Sequence, residues 1–154
     1  MLMTVGLFLS AVVAIGSLTT GVSVAGMSSG VAARTFTMSE SSNLHLTSRQ
    51  GFRLNEHGSA SGTVTGTIYV HLTIVSTSRV TAEVNIYPHG GSISGYASAK
   101  YQRGTSTGAF SGSISINRGT GKYNHVHGKG LSFSGTIARS NYAITVHVNG
   151  TVSD

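Results

Sequence analysis

Gly119 to Gly150 reads GTGKYNHVHGKGLSFSGTIARSNYAITVHVNG. In Leu131-Phe133-Gly135-Ile137, and again in Tyr142-Ile144-Val146-Val148, apolar or small residues take every second place, with Ser, Thr, Ala, His and Asn between them. A period of two puts alternate side chains on opposite faces of an extended strand, so each run predicts a strand with one face on a core. Arg139-Ser140-Asn141 is a short polar connection of the kind that closes an antiparallel hairpin.

Working outward, the same grammar covers the chain back to Leu44. Leu44 and Leu46, then Phe52 and Leu54, predict two short strands joined at Arg49-Gln50-Gly51, and Glu56-His57-Gly58-Ser59 reads as a turn. Gly62 to Ser76 predicts a long strand with Val64, Gly66, Ile68, Val70, Leu72 and Ile74 on one face, bending near Gly66. Val80, Ala82, Val84 and Ile86 form the next inward set, and Pro88-His89-Gly90-Gly91 breaks the chain with its single proline. Ile93 to Tyr101 and Phe110 to Ile116 follow, separated by the polar loop Gln102 to Gly108 and closed by a turn at Asn117 to Gly121. The count reaches eight strands, and nothing after Ala33 sustains a helical period.

Eight strands with short links predict a closed antiparallel barrel or a two-sheet sandwich. Gly66, Gly95, Ala97, Gly112 and Gly135 recur on the apolar face. Small inward residues suit the tight interior of an eight-stranded barrel, and closure removes the sheet edges that a weakly charged chain defends poorly. The expected fold is therefore an all-β, eight-stranded antiparallel barrel over residues 44–154, behind an N-terminal signal helix.

The 154 residues suffice for one domain. Charged residues are only 9% of the chain, yet apolar residues reach 39% and alternate, which argues against disorder. The absence of cysteine excludes disulfides, thiolate catalysis and Cys-based metal sites. Ten scattered bases give a net charge of +6 without forming a run or a nucleic-acid-reading motif, so no nucleic-acid partner is expected.

Residues 1–33 differ in kind. Val5 to Ile15 is an apolar run of the length of a secretory signal core, and small-x-small patterns end at Ala25 and Ala33. Ser17, Thr19, Thr20 and Gly21 dilute the run too early for a membrane anchor. The reading is a signal peptide and processed leader over 1–33, a flexible leader over 34–43, and a secreted, extracellular domain with no transmembrane anchor once the signal is removed.

The series G-S-I-S-G (Gly91 to Gly95), A-F-S-G-S-I-S-I (Ala109 to Ile116), G-T-G-K-Y (Gly119 to Tyr123), H-G-K-G (His127 to Gly130) and S-G-T-I (Ser134 to Ile137) resembles the barrel of the allene oxide cyclase and dirigent-like proteins, especially their secreted bacterial relatives. The likeness spans Gly62 to Val152. It implies a barrel around an apolar cavity, in which plant relatives hold a fatty-acid epoxide or a phenoxy radical pair while it reacts. It also implies association into homo-oligomers.

Three functions follow as expectations. The first is a barrel that holds a small apolar ligand against Ile68, Val84, Ile93 and Phe110, with Ile114, Phe133 and Ile144, in a cavity of a few hundred Å³. The second is an isomerase or cyclase acting on an unsaturated lipid or phenolic substrate, for which Glu83, Asn85, Tyr69 and His71 are the candidates. Alternation places Glu83 and Asn85 opposite Val84 and Ile86, so this carry-over fails if the apolar face lines the interior. The third is a structural or adhesive surface module built on the Ser/Thr/Gly-rich faces. His125 and His127 could share a metal, but a site needs a third ligand, so neither a metal nor any other cofactor is expected.

Overall fold

The computed structural model describes residues 34–154. The expected signal helix and leader over 1–33, and with them the export signal, lie outside the described residues. The remainder forms eight strands: β1 (Thr35–Gln50), β2 (Arg53–Gly62), β3 (Gly66–Ser76), β4 (Arg79–Pro88), β5 (Gly91–Arg103), β6 (Thr107–Gly121), β7 (Gly128–Ala138) and β8 (Ile144–Ser153). Each pairs antiparallel with its neighbour in sequence, and β1 pairs with β8, so the sheet closes into an up-and-down barrel. Each expected strand has its counterpart.

Several boundaries differ from the expectation. The long strand expected over Gly62 to Ser76 begins only at Gly66, and Val64, expected on its inner face, lies in the connection from β2. Residues 35–43, read as a flexible leader, are the first half of β1 and pair with β8 from Thr35↔Ser153 to Leu44↔Ile144. Without them the barrel would stay open between β1 and β8. Glu56 to Ser59, read as a turn, lies in the middle of β2, with Glu56 opposite Leu46 and Val70. Asn117 to Gly121 is the end of β6 and not a turn; the chain reverses over Thr120 to Val126 instead. Tyr142 precedes β8 and sits in the connection from β7.

The inward faces carry Met38 and Leu44 from β1, Leu54 from β2, Ile68 and Val70 from β3, and Ile86, Ile93, Ile114, Leu131 and Ile144 from the later strands, all buried. Outward positions on these strands are mainly Ser, Thr, Asn, His and Tyr. Apolar inside and polar outside is the reverse of a barrel that faces lipid. Among the described residues no helix is long and apolar enough to cross a membrane.

Strand centres stay small where neighbours approach closely. A Cβ on Gly112 would lie 2.0 Å from the Ser98 carbonyl oxygen and 2.7 Å from the Ala99 Cα, backbone atoms of the paired β5. Neither can yield without moving the strand. Gly112→Ala is therefore expected to cost about 2 kcal/mol of stability, within the range for overpacking. Urea denaturation followed by circular dichroism should show the lower midpoint with an unchanged slope.

Candidate functional site

The barrel interior holds an apolar cavity of about 90 Å³. All seven residues expected as ligand contacts, from Ile68 on β3 to Ile144 on β8, lie on its wall. The volume is smaller than the few hundred Å³ expected; Leu131, Ile114 and Ile93 are among the buried side chains on its wall. A dry cavity of about 150 Å³ is known to accept a single benzene ring, so this interior alone takes only a compact group.

The interior does not end there. Leu72, Val80 and Phe110 also line a second cavity of about 360 Å³ at the end of the barrel carrying the β1–β2, β3–β4, β5–β6 and β7–β8 connections. Its floor is apolar, from Leu54, Ile74 and Ile137, and its rim carries Arg49, Arg103 and Arg139 with Tyr101 and Tyr142. Among the described residues no carboxylate lines this mouth. At the opposite end the turn residues Val64 and Val126 are buried.

The rim is partly ordered by its own contacts. Arg139 Nη1 donates to the carbonyl oxygens of Gly104 and Thr105, at 3.2 and 3.0 Å, tying the β7–β8 connection to the β5–β6 loop. Arg49 Nη1 donates to the Tyr142 hydroxyl, and its guanidinium lies 5.1 Å from the centre of that ring. Tyr142 has a φ of 60°, a left-handed conformation that costs a non-glycine residue energy and persists only where surrounding contacts impose it. Here the contacts are the Tyr142 N–H bond to the Ala138 carbonyl and the Ala143 N–H bond to Asn141 Oδ1.

Two of the chain's four acidic residues face inward, although the sequence reading left only Glu83 in the sheet. Glu40 on β1 is 3% exposed; its Oε1 accepts the Val64 N–H at 2.5 Å, while Oε2 has no partner. Burial raises its pKa, and the backbone N–H groups of Val64 and Thr63 act in the opposite sense. Glu56 on β2 is 1% exposed and neither carboxylate oxygen has a partner. Burial alone pushes its pKa up to about 7. Glu56 lies one inward step from Leu54 with Val70 of the cavity wall as its neighbour on β3, but it lines neither cavity, whereas Glu40 lies on the wall of the interior one. Six residues along β1 separate Glu40 from Leu46, the partner of Glu56. At about 3.3 Å per residue the two levels stand roughly 20 Å apart along the strand.

The four residues expected for catalysis gather elsewhere. Tyr69 pairs with Asn85 and His71 with Glu83, so they form one cluster, but on the outer wall. Glu83 is exposed and does not face the cavity, so it cannot act on a molecule held inside. His125 and His127 also lie outside. His127 Nδ1 donates to the His125 carbonyl oxygen and its Nε2 accepts from the Ser153 hydroxyl, which uses both ring nitrogens to pin the start of β7 to the end of β8. Among the described residues no three His, Asp or Glu side chains converge as metal ligands.

No family model, curated protein or solved structure matches the chain.

Proposed function

We propose that the barrel holds a small amphiphile, with its apolar body across the floor of the mouth and the interior beyond it and its anionic head at the arginine rim. One observation carries the reading: the apolar interior adjoins, through Leu72, Val80 and Phe110, a mouth bearing three guanidiniums and, among the described residues, no carboxylate. Guanidinium groups bind carboxylate and phosphate through paired N–H donors, and an apolar tube beside them rewards a hydrocarbon tail. The interior and mouth together supply the few hundred Å³ that such a ligand needs. The resemblance to allene oxide cyclase and dirigent-like barrels, and export of the domain, belong to the same reading.

Native mass spectrometry of protein purified from its own host, followed by organic extraction, tests it. A retained fatty acid or alkyl phosphate is the expected result. Ligand-free protein that also fails to bind octanoate, decanoate, dodecanoate and their phosphate counterparts would remove the reading.

An isomerase or cyclase acting on an unsaturated substrate is the second reading, and Glu56 favours it. A carboxyl with a pKa of about 7 can serve as acid or base near neutrality, and Glu56 stands on the inner face next to Val70 of the cavity wall. In that case the chemistry belongs to Glu56 and not to Glu83.

A further inference from the structure

The outer wall over β2 to β5 carries a second constellation, independent of the interior. Its side chains stand in register across the strands. One row runs Asn55, His71, Glu83, Tyr96 and Ser115, and the next runs His57, Tyr69, Asn85, Ser94 and the exposed Arg118. Tyr96 is 59% exposed, Tyr87 52% and Tyr69 42%, so three phenol rings stand in solvent on one wall. Tyr69 packs edge-on against Tyr87 at 5.7 Å and tilted against His57 at 4.8 Å, which fixes the rings without covering them.

The polar groups between the rings are also held. Ser94 Oγ donates to Asn85 Oδ1 at 2.6 Å, Asn85 Nδ2 donates to Glu83 Oε1 at 3.3 Å, and His71 Nδ1 donates to Asn55 Oδ1 at 2.7 Å. Beside them lies a groove of about 740 Å³, with Arg53, His71, Glu83 and Tyr96 among its walls and the small Ser98 and Ser113 along it.

We infer that this wall is a binding site for a neutral polysaccharide. Exposed rings offer flat apolar faces to the C–H faces of pyranose rings, while their hydroxyls remain free to hydrogen-bond. The fixed amide, imidazole, carboxylate and hydroxyl groups supply both donors and acceptors, which a ligand bearing a hydroxyl on nearly every carbon requires. Arg53 and Glu83 share the groove, so its formal charges cancel and an anionic polymer gains nothing there, in contrast to the arginine rim of the mouth. A protein partner would need a more apolar surface than a groove lined by Ser98, Ser113, Thr73 and Thr81.

Affinity electrophoresis in native gels cast with a soluble β-glucan, a xylan, a mannan or a dextran tests the site. At least one polymer is expected to retard the full-length protein, and the retardation should persist in 0.5 M salt, a condition set to remove purely ionic attraction. Tyr96→Ala and Tyr69→Ala should each weaken it at least fivefold, whereas Lys129→Ala, in the β7 strand, should not. Both tyrosines are exposed, and an unchanged thermal midpoint will show that the variants fold. The inference fails if no polymer retards the protein, if salt abolishes the effect, or if both tyrosine variants bind as the parent does. It also fails if sedimentation shows the wall buried between two copies of the chain. None of these outcomes bears on ligand retention by the interior, so the two sites stand or fall separately.

Discussion

Replacing Glu56 by Gln is expected to flatten the pH dependence of unfolding and to stabilise the barrel at pH 8. The cause is the single carboxyl that the fold buries without a partner. Its pKa rises from the usual 4.5 to about 7 because ionisation would leave a charge in an apolar wall with nothing to bond to it. Below about pH 4.5 the folded and unfolded chains both hold the proton, and the group costs little. Between 4.5 and 7 the unfolded chain ionises while the folded chain does not, so the unfolded state gains and stability falls. Above 7 both are ionised and the loss levels off, at about 3 kcal/mol for a shift of this size. For a domain of this length that corresponds to roughly 10 °C in thermal midpoint.

Glu56→Gln keeps the shape but cannot ionise, so most of the fall between pH 5 and pH 8 should vanish. The residual slope belongs to Glu40, which is raised in the same direction but retains backbone N–H donors. Thermal melts of the parent and Glu56→Gln at half-unit intervals of pH measure the difference. Parallel curves would mean that Glu56 is solvated or paired in solution.

The same residue shows why part of the site escaped the sequence. Strand reading rests on apolar alternation, and that signal was strong in the last two strands and in β3 to β6, where Ile68, Val84, Ile93, Phe110, Ile114, Phe133 and Ile144 all lie on the cavity wall as expected. In β1 the inward series is Phe36, Met38, Glu40, Ser42, Leu44. Two polar members interrupt the pattern at its centre, and the segment resembled a leader. In β2 the series is Leu54, Glu56, Gly58, Ala60, and the neighbouring Glu, His, Gly and Ser carry turn chemistry. Gly58 is small because a Cβ there would meet the backbone of Asn43 on β1, not because the chain turns. A period of two was still present in both series, marked by small and buried members. The buried carboxylates were hidden because they occupy positions that alternation reserves for apolar residues. The Arg cluster was legible in principle: in an up-and-down meander every second connection falls at the same end, which gathers Arg49, Arg103 and Arg139 from distant parts of the chain. What sequence could not supply was the first half of β1, before Leu44, on which pairing with β8 and therefore closure depends.

Removal of two of those arginines is expected to produce the largest change in ligand binding. Arg139 is partly committed to the carbonyls of Gly104 and Thr105, and Arg49 to Tyr142, whereas Arg103 has no side-chain hydrogen bond among the described residues. Arg103 is thus the first donor available to an incoming head group, and Arg49 the second, since its Nη1 bonds the phenol and its Nε the Gly51 carbonyl oxygen while Nη2 makes no bond among the described residues. A charge-assisted bond contributes about 1.5 kcal/mol where it is partly shielded from water, or about tenfold in affinity. Arg49→Ala with Arg103→Ala should therefore weaken dodecanoate binding roughly a hundredfold. The parent's affinity should also fall as salt rises from 10 mM to 0.5 M, because the rim is exposed and its field is screened, while the double variant's should change little. Dodecanol, which has the same tail and no charge, should lose less than threefold on the same substitutions. Isothermal titration with both probes separates the contributions: an equal loss for acid and alcohol would show that the variant has damaged the tube, and no loss for either would show that the head group lies elsewhere. Because both arginines are exposed and neither packs in the core, the substitutions leave the apolar interior intact, so the acid–alcohol difference reads the rim itself.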